Sequence, residues 1–296
     1  MRENVSFASG GMTCRGWLFR PDDPSTGARP AIVMSHGFSA VKEQRLEPFA
    51  ERFAAEGFVV LVFDYRCLGA SDGAPRGRII PQLQHDDIRA ALAFLAAQPG
   101  VDPERLGLWG TSYSGGHALF VGALDPRVKV IVAQVPAIDI PRSVLAMSGE
   151  DGFAGLLGLL ADDHARRNGG DTGRTMPVTA QGGQPAFLAG DAAHAWFAET
   201  ALGAPAWVNS VTLESVARGI EYIPAALIDL IAPRPLLIQA AAGDELIPFE
   251  QVRDAFARAG EPKTLEVHKG GHFDLYQGPA HAVALASQAA WFKRWL

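Results

Sequence analysis

Leu106-Gly-Leu-Trp-Gly-Thr-Ser-Tyr-Ser-Gly-Gly116 decides how the 296-residue chain is read. Leu106 to Trp109 is a short apolar run. Gly110-Thr111-Ser112-Tyr113-Ser114 then sets a serine among small residues, and the apolar segment Ala118 to Leu124 suits a helix. Strand, sharp turn and helix in that order form the setting in which a strained turn lifts a serine hydroxyl over the end of a parallel sheet. The pattern G-x-S-x-G is broken at its last position by Ser114, with glycines at 115 and 116. What that position needs is a small side chain where helix and strand pack closely, and serine is small. Alone, the pentapeptide reads as readily as a glycine-rich turn without chemistry.

Outward from it, the chain alternates. Val5 to Phe7 and Thr13 to Phe19, about Gly10-Gly11, read as a hairpin, and Arg20 to Gly27 as a loop. Pro30 to Ser35 is a buried strand running into His36-Gly37-Phe38. Leu46, Phe49, Ala50 and Phe53 recur at helical spacing before Gly57. Phe58 to Phe63 is continuously apolar, as a central parallel strand covered on both faces must be, and ends in the loop Asp64 to Gly73. Ile88, Leu92 and Leu95 mark a helix ahead of the serine turn, and Val128 to Ala133 a strand beyond it. Such alternation specifies a mostly parallel sheet with helices on both faces, an α/β fold.

The rhythm breaks at Pro136. Residues 137–232 show helical patches (Phe153 to Ala165, Ala192 to Leu202, Val211 to Tyr222) and no strand, with Arg166 to Pro185 read as a loop. Pro235 to Ala241, a helix around Val252 to Ala259, Thr264 to His268 and a last helix (Leu285, Ala289, Phe292, Leu296) resume it. The expected organisation is therefore a core of residues 1–136 and 233–296 with a helical cap, 137–232, inserted at the carboxyl end of a strand, the edge where open α/β sheets bind ligands.

Composition narrows the function. Net charge is −6 and no basic run appears, which argues against nucleic acid as a partner. No apolar run approaches the ~20 residues of a bilayer span, and the N-terminus lacks a signal-peptide pattern; no membrane partner and a cytoplasmic location are the expectation. Cys14 and Cys67 have no metal-ligand spacing and read as small core residues or spare thiols on two strands. No metal or cofactor is expected.

A serine nucleophile needs a base within reach and an acid to orient the base. Just beyond the two late strands lie Gly243-Asp244-Glu245 and Gly270-Gly271-His272-Phe273-Asp274. Ser112, Asp244 and His272 thus fall on one edge of one sheet, in the order Ser, Asp, His. Asp139, Glu245 and Asp274 are rival acids; His268 is the nearest rival base, and His36 reads as shaping the loop after its strand. Oxyanion donors, each contributing about 2.7–4 kcal/mol, are expected from the N–H groups of Tyr113 and Phe38. Tyr65 and Tyr113 either bring hydroxyls to the site or pack. Trp196, Phe197 and Trp207 are candidates for an apolar substrate pocket or, equally, for the cap's own small core.

Three segments, Met34 to Glu43, Asp64 to Gly73 and Gly110 to His117, carry a resemblance to the α/β-hydrolase superfamily across nearly the whole chain. Together with Ala195-Trp-Phe-Ala-Glu199 they are similar to esterase-like and acetylxylan-esterase-like hydrolases and to fungal polyketide acyltransferases. The resemblance implies esterase-type chemistry with Ser112, Asp244 and His272 as triad, and no metal or cofactor. Dehalogenases and epoxide hydrolases of this fold are set aside because they use a carboxylate nucleophile. The expected function is hydrolysis of small, uncharged, fairly hydrophobic carboxylic esters through an acyl-enzyme. Acyl transfer, thioester or amide cleavage on the same triad, and a silent binding fold, are the alternatives. The expected partner is a small-molecule ester, and a homodimer is left open.

Overall fold

Strands buried on both faces need helices on both sides of the sheet, and the chain supplies them in order. The computed structural model describes residues 1–22 and 27–296; residues 23–26, within the loop expected at 20–27, lie outside the described residues. Strands β1 (Arg2–Ser9) and β2 (Met12–Phe19) form the expected hairpin. There follow β3 (Arg29–Ser35), α1 (Glu47–Ala55), β4 (Val59–Asp64), α2 (Pro81–Ala96), β5 (Val101–Thr111), α3 (Tyr113–Leu124) and β6 (Val128–Gln134). Then come α4 (Ile140–Asn168), β7 (Thr175–Met176), α5 (Asp191–Ala201), β8 (Val211–Thr212) and α6 (Leu213–Ile220). The chain closes with β9 (Leu236–Ala241), α7 (Phe249–Arg258), β10 (Lys263–His268) and α8 (Gly278–Trp295).

Eight strands form one sheet in the order β1-β2-β4-β3-β5-β6-β9-β10. Only β2 runs against its neighbours; every pairing from β4 to β10 is parallel. Helices α1 and α8 cover one face, where Phe49, Phe53, Trp109 and Phe292 pack together. Helices α2 and α3 cover the other, over Val33, Leu61, Leu108 and Ile131.

Between β6 and β9 the structure departs from the sequence reading in three ways. The helix expected from Phe153 begins at Ile140 and is broken at Gly149, whose φ of 68° and ψ of 176° are not helical; its first piece lacks a clean apolar stripe, which hid it. Two residues each of β7 and β8 pair antiparallel where no strand was expected, because a two-residue strand has no periodicity to read. The third helical patch starts at Leu213, after β8, with the Thr212 hydroxyl accepting from the Ser215 N–H at its cap. Helix α4 also revises the expectation about apolar runs. An 18-residue window in it reaches a mean hydropathy of 1.3, enough by length and composition alone to cross a membrane, because leucine and alanine outweigh scattered charges. Leu145, Leu157 and Leu159 on it are exposed. Cys14 is buried in β2 as expected, but Cys67 lies in the loop after β4 with φ 66°.

Phe53 is fully buried, its ring 5.4 Å from that of Phe292. Truncation by Phe53→Ala opens a cavity between α1 and α8 and is expected to cost about 3–5 kcal/mol, read as a lower urea midpoint with unchanged slope. A loss below about 1 kcal/mol would mean that this layer collapses to refill the space.

Candidate active site

The strand order reverses at β3 and β5, so the loops leaving their carboxyl ends diverge and open a crevice. Ser112 stands there, between β5 and α3, with φ 56° and ψ −120°, a conformation costing a non-glycine residue about 1–3 kcal/mol. Close packing enforces it. A Cβ on Gly110 would lie 1.9 Å from the Ser114 carbonyl oxygen, and one on Gly115 2.8 Å from Pro136 Cα. The Ser112 N–H donates to Gln134 O (2.9 Å), and its carbonyl accepts from Ala137 (2.9 Å) and Gly116 (3.1 Å). Ser114, where the motif departs from glycine, is fully buried. Its hydroxyl donates to the His36 carbonyl and meets the Tyr65 hydroxyl at 2.7 Å. Serine is thus small enough for the turn and also ties it to the loop after β3.

The loops after β9 and β10 bring up two more groups, held in register by Ala242 N–H to His268 O (2.8 Å) and Gly243 N–H to Gly270 O (2.9 Å). His272 Nε2 lies 3.0 Å from Ser112 Oγ, and His272 Nδ1 lies 2.8 Å from Asp244 Oδ2. The other Asp244 oxygen accepts the N–H groups of Leu246 (2.9 Å) and Ile247 (2.8 Å), which fixes the carboxylate. Both side chains are nearly inaccessible to solvent. The rival acids are committed elsewhere. Asp139 caps α4 by accepting the Arg142 N–H, Asp274 accepts that of Gly271, and Glu245 accepts the His272 backbone N–H. His268 is in β10, and burial pushes the His36 imidazole below its usual range. Behind α3, His85 and His117 meet at 3.0 Å; burial holds both uncharged, His85 down to about 3.

The loop after β3 passes so near the serine turn that a Cβ on Gly37 would stand 3.1 Å from that of Ser112. Among the described residues the Phe38 N–H has no acceptor, and the Tyr113 N–H, first in α3, has none within the helix. Both are free for an oxygen beside Ser112. Buried Asp64 holds this loop: it accepts the Lys42 N–H and ammonium (2.7 Å each) and the Ala70 N–H (2.9 Å). Tyr65 and Tyr113 are both buried; Tyr113 packs its ring edge-on to Phe38 at 5.3 Å and its hydroxyl has no partner.

Two apolar lobes meet at Ser112. One is walled by His272, Phe273, Tyr276, Trp196 and Phe197. The other runs under the first piece of α4, along Ile140, Val144 and Met147, against Phe187 and Ile247. Trp196 and Phe197 thus reach the site, Trp196 stacked on Phe273 at 5.2 Å. Trp207 lines neither lobe, contrary to expectation. Its ring stacks behind Phe197 at 5.3 Å and its indole N–H donates to Ser39 O at 2.9 Å, which spends it on holding α5 to the loop after β3. Sequence reading missed Phe187 and Leu188, which the N–H to carbonyl bonds Phe187 to Pro177 (3.0 Å) and Leu188 to Val178 (2.8 Å) pin over the site. Two large apolar residues in a stretch rich in small and polar ones were the available signal.

The family model described as X-Pro dipeptidyl-peptidase (S15 family) matches residues 17–274. Quorum-quenching protein AidA of Acinetobacter baumannii (strain MDR-ZJ06) is 31% identical over 293 residues, 98% of this chain and 94% of that one. A thiohydrolase of Eupenicillium brefeldianum is 31% identical over 300 residues, 99% and 94% of the two chains. The solved structure of the α/β hydrolase GrgF from Penicillium sp. sh18 superposes with a TM-score of 0.85 at 29% identity, covering 100% of this chain and 99% of that one. With its mostly parallel eight-stranded sheet and these likenesses, the chain belongs to the α/β-hydrolase superfamily and, within it, to the S15 family.

Proposed function

We propose that the protein is a serine hydrolase cleaving small, uncharged, apolar carboxylic esters, with Ser112, His272 and Asp244 as its triad. One observation carries this reading: a hydroxyl, an imidazole and a carboxylate in line, at 3.0 and 2.8 Å, at the switch point of the sheet. Ser112 Oγ attacks the ester carbonyl while its proton passes to His272 Nε2. Asp244 holds Nδ1–H and stabilises the imidazolium, and the N–H groups of Phe38 and Tyr113 receive the oxyanion. His272 then protonates the departing alcohol, and water releases the acyl group by the reverse exchange.

Stereochemistry orients the substrate. The leaving group has to lie within reach of His272 Nε2, and only the aromatic lobe is lined by His272. The acyl chain therefore extends under α4. Among the described residues, none lining either lobe carries a carboxylate. A dipeptidyl-peptidase would need a counter-charge for its substrate's terminal ammonium, so the family's name is not extended to this chain's substrate. A relative named thiohydrolase and one named polyketide transferase favour one second reading, a thioester substrate or an acceptor other than water on the same residues.

Hydrolysis of 4-nitrophenyl esters from acetate to octanoate tests the reading. Ser112→Ala and His272→Ala are each expected to lower kcat by about 10⁴-fold or more, and the double variant to be no worse than either alone. Asp244→Asn should cost about 10⁴-fold by holding the wrong tautomer. Full turnover in Ser112→Ala would sink the proposal. With each buried methylene contributing about fourfold, Val144→Phe should lower kcat/KM for octanoate by at least about tenfold and spare acetate. Loss of both esters alike would place the acyl chain elsewhere.

A further inference from the structure

Beneath the turn at Ser112, a chain of buried side chains has every hydrogen-bond direction set from its ends. The indole of Trp109 is a donor only and gives its N–H to Gln288 Oε1 at 2.9 Å. The Gln288 amide nitrogen therefore faces the other way, donating to Gln134 Oε1 (2.8 Å) and Gln239 Oε1 (2.6 Å). Gln239 confirms the orientation from its far side, where its nitrogen donates to two groups that only accept, Ala284 O (3.0 Å) and the Glu266 carboxylate (2.7 Å). With Gln134 Oε1 accepting, its nitrogen donates to Thr111 Oγ1 at 3.1 Å. Thr111 is fully buried, and its own proton has one acceptor among the described residues, Tyr276 Oη at 2.6 Å. If Tyr276 donated to Thr111 instead, the threonine proton would be buried without a partner.

The Tyr276 proton is thereby turned outward. Tyr276 lines the aromatic lobe together with Ser112 and His272, and its hydroxyl is held 2.6 Å from that of Thr111, the residue before Ser112. Resting on the triad proposed above, we propose that Tyr276 Oη is a fixed hydrogen-bond donor to Ser112 Oγ, a further catalytic residue oriented by Thr111, Gln134 and Gln288. Tyr276 keeps its proton throughout. In acylation the donor faces Oγ as that oxygen loses its proton to His272. In deacylation it matters more: Oγ is then the leaving oxygen of the acyl-enzyme, and the bond to the acyl carbon breaks with negative charge gathering on Oγ until His272 returns the proton.

Tyr276→Phe removes the donor and keeps the ring. On a 4-nitrophenyl ester, whose good leaving group makes acylation fast, it is expected to slow deacylation by about 10- to 100-fold, the range of one hydrogen bond to a charged oxygen. Stopped-flow should then show a 4-nitrophenolate burst approaching one equivalent per site, with kcat and KM falling together and kcat/KM held within about threefold. Thr111→Val, which frees the tyrosine hydroxyl to turn, should give a smaller change of the same kind, and adding it to Tyr276→Phe should change nothing more. If Tyr276→Phe fails to fold, the burst in Thr111→Val alone decides. A fall in kcat/KM equal to that in kcat without a burst, unchanged kinetics, or multiplying effects in the double variant would each overturn the assignment. Wild type inert toward every ester, or Ser112→Ala as active as wild type, would instead overturn the triad beneath it.

Discussion

The edge of the sheet depends on one backbone conformation, the turn at Ser112. Serine does not hold a φ of 56° with a ψ of −120° unaided, so its surroundings have to over-determine it. They do so with backbone. Gln134 O accepts the Ser112 N–H, the Ala137 and Gly116 N–H groups donate to its carbonyl, and glycines at 110 and 115 let strand and helix approach closer than any side chain would permit. The strain is maintained because relaxing it would break bonds to β6 and α3 together. What it achieves is positional: the hydroxyl stands clear of both strand and helix, at 3.0 Å from an imidazole carried by a loop 160 residues away.

The segment between β6 and β9 is bound to the same machinery rather than merely laid over it. Gln44 donates to Thr200 of α5 at 2.8 Å in a buried contact, Arg45 pairs with Glu199, and Trp207 donates to Ser39. All three contacts land within eight positions of Phe38. Arg78 reaches Glu214 of α6 with two bonds, 2.8 and 2.9 Å. Half-exposed ion pairs contribute about 1 kcal/mol at most, so the buried amide and indole contacts do more of the holding. The aromatic lobe and the N–H donors beside Ser112 therefore share one set of anchors, and a shift of α5 would be felt by both.

Legibility followed physical range. The sheet was readable because a strand buried on both faces must be apolar throughout, as Phe58 to Phe63 is, and because glycine marks the turns. The three polar groups were readable because loops at strand ends collect on one edge. Trp207 was misread since an aromatic residue in the right stretch has no label saying which side it faces, and its indole N–H found a backbone carbonyl. The first piece of α4 was missed because one side of it faces the cleft, so that no solvent-to-core alternation develops, and because Gly149 cuts the pattern short. Tyr276 was invisible for another reason: its partner Thr111 is 165 positions away, and only the folded register of β5 brings them together.

The glutamines show what such a register is worth. Gln134 and Gln239 end or interrupt strands that are otherwise apolar apart from Lys129, Val-Lys-Val-Ile-Val-Ala and Leu-Leu-Ile, and Gln288 is fully buried in α8. Leucine or methionine at these three places would fill similar volume without the desolvation of three amides, and replacing both partners of a buried hydrogen bond by apolar groups is often nearly neutral. Stability alone is therefore a poor reason for the network. Its distinguishing property is that every oxygen and at least one N–H of each amide is used, with no choice of direction left, because it starts at an indole that can only donate and is checked at a carboxylate that can only accept. A fully satisfied polar network specifies one arrangement where an apolar core would tolerate several. Here that arrangement ends at Thr111, the residue before Ser112, so the direction set at Trp109 is carried to the edge of the crevice.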